Sequence, residues 1–109
     1  METNALPRNR IKLEDVPDQA ITSMSESFKA LADPTRLQIL KLLFSGERCV
    51  SELADHMNVT QSAVSHQLRL LRNLDIVRFR KEGREVFYDL ADDHVRKIFM
   101  LTLEHILYD

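Results

Sequence analysis

The segment Asn58-Val-Thr-Gln-Ser-Ala-Val-Ser-His-Gln-Leu-Arg-Leu-Leu-Arg72 constrains this chain more than any other, because its polar and apolar residues are already sorted onto two faces of one helix. It reads as the turn and second helix of a helix-turn-helix. Asn58 falls at the turn, where a left-handed backbone is often needed and Asn tolerates one. Thr60 is placed as N-cap, with a hydroxyl that accepts from an otherwise unpaired backbone N–H of the first turn. Val64, Leu68 and Leu71 recur at helical spacing and predict a core-facing stripe. Gln61, Ser62, Ser65, His66 and Arg69 fall on the opposite face. That face is short, donor-rich and free of carboxylates, which suits a helix laid into the major groove of DNA. An ordinary amphipathic surface helix more often mixes in Glu and Asp, and the residues that follow decide between the two.

From Ile76 to Leu90 two short runs alternate apolar and polar residues around a tight turn expected at Glu82-Gly83. Val77 and Phe79 share one face of the first strand, Arg78 and Arg80 the other, while Val86, Tyr88 and Leu90 mark the inner face of the second. Two strands alone are marginal in water, so the hairpin must pack on helices. A hairpin with Arg80, Lys81 and Arg84 around its tip, beside a reading helix, predicts the wing of a winged helix-turn-helix. Its basic tip would hold phosphates or reach a minor groove.

The net charge of −2 over 109 residues runs against a nucleic-acid partner until it is divided along the chain. From Thr60 to Arg84 six Arg and Lys face only Asp75 and Glu82, whereas from Glu85 to Asp109 six acids face only Arg96 and Lys97. The field is a dipole, basic where DNA is expected and acidic toward the C-terminus. A single cysteine excludes an intramolecular disulfide and fits a reducing compartment. No apolar run approaches the ~18 residues of a membrane span and no hydrophobic signal segment opens the chain, so a soluble, cytoplasmic protein with no membrane partner is expected.

Residues 1–17 carry Pro7 and Pro17 and little periodicity, and read as a mobile arm; residues 18–109 read as one winged helix-turn-helix domain. Ile21, Met24, Phe28 and Leu31 form the stripe of a first helix, from about Asp18 to Ala32. Asp33-Pro34 is a start signal, an acidic N-cap followed by proline at the first helical position. The helix it opens, to Phe44, is apolar enough to run through the core, and Gly46 ends it. A shorter helix spans about Val50 to Met57, and small Ala54 permits close approach of its neighbour. The last helix, about Asp93 to Leu107, is apolar almost all the way round. A terminal helix of a small domain cannot bury every side, so one face is expected to meet a second copy of the chain. The fold class is therefore mainly α with a two-stranded β wing (α+β): four helices, the wing, then a fifth helix.

These residues together resemble the ArsR/SmtB family of small metal-responsive winged-helix repressors, over roughly Met24 to Tyr108. The carriers are Phe28-Lys-Ala-Leu-Ala-Asp-Pro-Thr-Arg-Leu-Gln-Ile-Leu40, Cys49-Val-Ser-Glu-Leu-Ala54, Val64-Ser-His-Gln-Leu-Arg-Leu-Leu71 and Val86-Phe-Tyr-Asp-Leu90. The resemblance implies a homodimer formed through the first and last helices, operator DNA as partner, and release of DNA when an effector binds. It implies Gln61, Ser62, Ser65 and His66 as DNA contacts, on the face already assigned from the residues.

Two effector sites known in the family are tested by the residues. One needs Cys-x-Cys at the start of the third helix, for soft ions; here Cys49-Val50-Ser51 lacks the second sulfur, and a thiolate-rich site cannot be built. Cys49 is expected as a small buried hydrophobe. The other lies on the last helix, as Asp-x-His near its start and His-x-x-His/Glu near its end. Asp92 and His94 supply the first half, and His105 follows His94 by eleven residues, the family spacing. Eleven residues are about three helical turns, so both histidines share a face but stand ~16 Å apart. One ion at ~2 Å per ligand cannot join them within a chain. Two antiparallel copies of the helix can, with Asp92 and His94 of one meeting His105 of the other, two sites per dimer. Tyr108 stands where the family has His or Glu, and Asp109, the terminal carboxylate or a water is left to complete the shell. Such a set suits Zn(II), with Co(II) as a substitute, better than soft ions.

The expectation is a dimeric repressor released from DNA by Zn(II) or a similar ion. The alternative on the same fold is a repressor that senses no metal and answers to pH, a small molecule or a partner protein. An enzyme finds little support, since the chain has two glycines in all, no phosphate loop and no nucleophile motif. A metal buffer would not need the basic reading helix and wing.

Overall fold

The computed structural model of the protein describes residues 11–108. A single 3-10 turn at Leu13–Asp15 leads into α1 (Asp18–Leu31), followed by α2 (Pro34–Leu43), β1 (Arg48–Cys49), α3 (Val50–Met57), α4 (Gln61–Asn73), β2 (Val77–Glu82), β3 (Glu85–Leu90) and α5 (Asp93–Tyr108). Residues 1–10 of the expected arm lie outside the described residues.

The local signals act as their chemistry requires. Asp33 caps α2, its Oδ2 accepting from the Arg36 amide at 3.0 Å, with Pro34 at the first helical position. Ile39, Leu40 and Leu43 of α2 are wholly buried and meet Leu53 and Ala54 of α3, Val64, Leu68 and Leu71 of α4, and Val77, Tyr88 and Leu90 of the sheet. Leu37, by contrast, is 38 % exposed and faces a groove beside α5.

The sheet has three antiparallel strands in the order β1-β3-β2, one more than the two-stranded wing expected. β1 pairs Arg48 with Tyr88 and Cys49 with Phe87. Two residues are too few for an alternation to register in sequence. The wing turn is also one residue later than expected: Glu82 still pairs with Glu85, and Gly83-Arg84 make the turn, with Gly83 at φ +62°. That left-handed conformation is one glycine adopts without strain.

α5 has no buried residue. Phe99 stacks on Phe44 (ring centroids 4.9 Å apart), and Arg96 donates to the Phe44 carbonyl at 2.9 Å, so the helix is docked along one side only. Its Leu101, Ile106 and Leu107 are 59–69 % exposed, and on α1 Ile21, Met24 and Phe28 are about half exposed. A groove lined by Phe28, Leu31, Leu37, Ile98, Leu103 and Ile106 runs between them, with a volume of about 290 Å³. The radius of gyration, 15.7 Å, exceeds the roughly 13 Å of a compact chain this size. No helix among the described residues is long and apolar enough to cross a membrane.

Candidate nucleic-acid interface and effector site

α3 hands over to α4 through Asn58, which takes the left-handed conformation (φ 56°, ψ 47°) expected of it. Thr60 then caps α4, Oγ1 accepting from the Ala63 amide at 3.1 Å. With Val64, Leu68 and Leu71 turned into the core, Gln61, Ser62, His66 and Arg69 are exposed and Ser65 is half-buried. The outer face of α4 thus presents amide, hydroxyl, imidazole and guanidinium groups and no carboxylate, a set able to pair with base edges and phosphates.

Two contacts that sequence reasoning did not identify fix α4. On its flank, Gln67 Oε1 accepts from Arg36 Nε of α2 at 2.8 Å. At its C-terminal end, the Arg72 guanidinium lies 4.8 Å over the Phe79 ring of β2, which in turn packs on Tyr88 at 5.9 Å. The wing is therefore tied to the reading helix by a cation–π contact. Neither pairing has a local signal, because each joins residues whose separation in sequence is set only by the tertiary fold.

At the wing, Lys81 and Arg84 are exposed, and no ion pair among the described residues engages either. Arg80 differs. It meets Glu47 at 2.6 Å and Glu82 at 2.6 Å and lies 4.7 Å over the Phe87 ring. The hydrogen bond from Arg80 holds the Glu47 carboxyl below its ordinary range, while Glu47 and Glu82 raise Arg80 above its own. Arg78 pairs with its cross-strand partner Asp89 at 3.6 Å.

Four helices, the last two forming a helix-turn-helix, followed by a β wing and a helix whose apolar sides remain uncovered, describe a class of regulators, and the chain's relatives agree. Residues 33–78 match the family described as bacterial regulatory protein, arsR family. The chain is 48 % identical over 89 residues to a transcriptional repressor SmtB homolog of Synechocystis sp., covering 82 % of this chain and 67 % of that one. The chain belongs to the ArsR family. A cadmium resistance transcriptional regulatory protein CadC homolog of Staphylococcus aureus is 42 % identical over 98 residues, covering 89 % of this chain and 80 % of its own. Among solved structures, the homodimeric winged helix-turn-helix DNA-binding domain Mb0332 of Mycobacterium bovis superposes with a TM-score of 0.78 at 31 % identity, over 86 % of this chain and 94 % of that one. As an ArsR-family member the chain is a DNA-binding transcriptional regulator and not an enzyme.

The residues considered for an effector in this ArsR-family chain lie at both ends of α5. Asp92 caps the helix, its Oδ1 accepting from the His94 and Val95 amides at 2.9 and 3.2 Å. Partial burial raises the Asp92 carboxyl, but those amide donors and nearby His94 outweigh it and hold it below its ordinary range. His94 Nδ1 lies 3.5 Å from Asp92 Oδ1, and both side chains are more than half exposed. His105 is exposed three turns on. Asp109 lies outside the described residues. Among the described residues of one chain, no three His, Cys, Asp or Glu side chains converge on a metal-binding point. Cys49 is 7 % exposed at the N-cap of α3, with Sγ 3.2 Å from Ser51 Oγ.

Proposed function

We propose that the protein is a dimeric repressor that reads operator DNA with Gln61, Ser62, Ser65, His66 and Arg69 of α4 and holds phosphates with the wing tip. Zn(II) or a similar ion, bound between chains by Asp92 and His94 of one α5 and His105 of the other, releases it. The observation that carries the metal reading is the pairing of Asp92 and His94 at the start of a helix with His105 on the same face, while the apolar sides of that helix stay uncovered. The donors fit the ion: a carboxylate and two imidazoles are ligands zinc accepts, and one oxygen of Asp92 remains after the other has capped the helix. The relatives named for cadmium resistance and as an SmtB homolog favour a metal effector in general; the preference for zinc rests on the imidazole and carboxylate donors.

Dimerisation is supported by the exposed stripe of α1 and α5 and by the homodimeric relative. A metal joining the two α5 helices would favour one relative orientation of the protomers, and with it one spacing of the two α4 helices.

The test is a cobalt(II) titration of the purified protein beside His94→Ala and His105→Ala, with DNA binding followed in parallel. Tetrahedral absorption bands saturating at two ions per dimer, lost in either variant, and DNA released on saturation are expected. DNA binding that is indifferent to metal would refute the effector assignment and leave a regulator with another trigger.

A further inference from the structure

The two faces of the wing have different chemistry. Along β2 side chains alternate, placing Val77, Phe79 and Lys81 on one face and Arg78, Arg80 and Glu82 on the other. The first face is the one that meets α4, since Val77 is 2 % exposed and Arg72 of α4 lies over Phe79. Arg80 therefore points away from the reading helix, on the outer face of the sheet.

There each of its three guanidinium nitrogens donates to a carboxylate. Nε donates to both Glu47 oxygens at 2.9 and 3.1 Å, Nη2 to Glu47 Oε1 at 2.6 Å, and Nη1 to Glu82 Oε1 at 2.6 Å. Its plane rests over Phe87, its cross-strand partner. Isolated surface ion pairs contribute little, but a bidentate arginine inside a network with an aromatic floor is the geometry in which they order a segment. Glu47 belongs to the loop between α2 and β1, while β1 itself reaches only Phe87 and Tyr88. Val86 still packs against the core, but from Lys81 through the turn to Glu85 the two strands pair only with each other.

An arginine that carries two carboxylates forms a cluster of net charge −1, and Arg78, the other cation on that face, pairs with Asp89 at 3.6 Å, so a phosphate approaching there meets carboxylates beside both arginines. We infer that Arg80 is a positioning residue, bracing the wing through Glu47 against the loop before β1, and that phosphate contact at the wing tip falls to Lys81 and Arg84. This rests on the proposed use of the wing in DNA binding.

The experiment measures affinity for a duplex selected from a random-sequence pool by the wild-type protein, as a function of salt, for Arg80→Gln, Glu47→Gln, Lys81→Gln and Arg84→Gln. Amide hydrogen exchange of the wing is followed in the same variants. Removing one cation that neutralises a phosphate lowers the slope of log K against log salt by about 0.9 per chain. Lys81→Gln and Arg84→Gln are expected to show that decrease, and Arg80→Gln is expected to keep the wild-type slope. Arg80→Gln and Glu47→Gln should each speed exchange of the β2 and β3 amides nearest the turn several-fold, with core amides unchanged. A slope that falls in Arg80→Gln as in Lys81→Gln overturns the assignment, as does wing exchange indifferent to both brace variants. If Lys81→Gln and Arg84→Gln leave the slope intact, the wing does not touch phosphate at all; that outcome defeats the wider reading, while hydrogen exchange still decides the brace.

Discussion

Arg36 and Gln67 stand on different helices, and a 2.8 Å hydrogen bond from Arg36 Nε to Gln67 Oε1 joins them. The same guanidinium reaches the Ala30 carbonyl at the end of α1 at 3.4 Å. One side chain thus links the helix that carries the exposed Ile21-Met24-Phe28 stripe to the flank of the reading helix. Both groups are part-buried, so removing the guanidinium leaves two acceptors poorly satisfied. Arg36→Met should lower stability by about 1.5–3 kcal/mol, the range for hydrogen bonds to a charged group, read as a lower urea midpoint at unchanged m-value. If the midpoint is unmoved, the hydrogen bond is incidental.

The turn into α4 offers a sharper contrast. Thr60→Ala removes the acceptor of the Ala63 amide and should cost about 1 kcal/mol. Asn58 already holds a left-handed backbone, so Asn58→Gly should be nearly neutral, whereas Asn58→Val forces a branched side chain into that region and should cost about 1–2 kcal/mol. Thermal unfolding of the three variants orders them: Gly above Ala, with Val equal to Ala or below it. A destabilised Asn58→Gly would mean that the Asn side chain, rather than its backbone freedom, holds the turn.

Most of the helical frame was legible because its signals are local. Asp33-Pro34 opens α2, Thr60 opens α4, and Val64, Leu68 and Leu71 fall on the buried face that their spacing predicts. β1 escaped because two residues cannot show a period, and the wing turn shifted by one because Glu82 and Glu85 extend the pairing. The candidate site was legible where it depends on one helix face. It was not legible where it depends on partners distant in sequence: Glu47 with Arg80, Arg36 with Gln67, Arg72 with Phe79 and Arg96 with Phe44. Alternation did show that Arg78 and Arg80 share a face. Which face that is depends on how the sheet packs on α4.

The start of α3 predicts a pH dependence. Glu52 Oε1 accepts from the Cys49 amide at 3.0 Å, and that hydrogen bond, with the neighbouring Cys49 side chain, holds the Glu52 carboxyl below its ordinary value of 4.5. A carboxyl depressed in the folded state contributes stability above its unfolded pKa and loses it as pH falls through the folded value. The contribution is therefore complete at neutral pH and disappears below pH 4.5. Glu52→Gln keeps an acceptor but cannot titrate, so the stability difference between wild type and variant should shrink on acidification. Urea midpoints at neutral and acid pH check this, and a constant difference would show that Glu52 acts only as a neutral acceptor.

The exposed end of α5 gives a test of assembly that is separate from the metal. Ile106 is 69 % exposed and lines the groove against α1, so its loss should leave the single chain folded. In a two-fold dimer every interface residue occurs twice. Burying an isoleucine stabilises by about 1.5–3 kcal/mol, so Ile106→Gln, which keeps a good helix former, removes about 3–6 kcal/mol of association energy across the pair. That is a factor of about 10²–10⁴ in the dimer dissociation constant. Sedimentation should show a monomer at concentrations where the wild type is dimeric, with an unchanged far-ultraviolet circular dichroism spectrum. DNA affinity should fall in step, because two half-sites are then read by chains that are no longer joined. If Ile106→Gln remains a dimer of wild-type strength, the interface lies elsewhere, and the antiparallel pairing of α5 that brings His94 to His105 of the other chain cannot form as proposed.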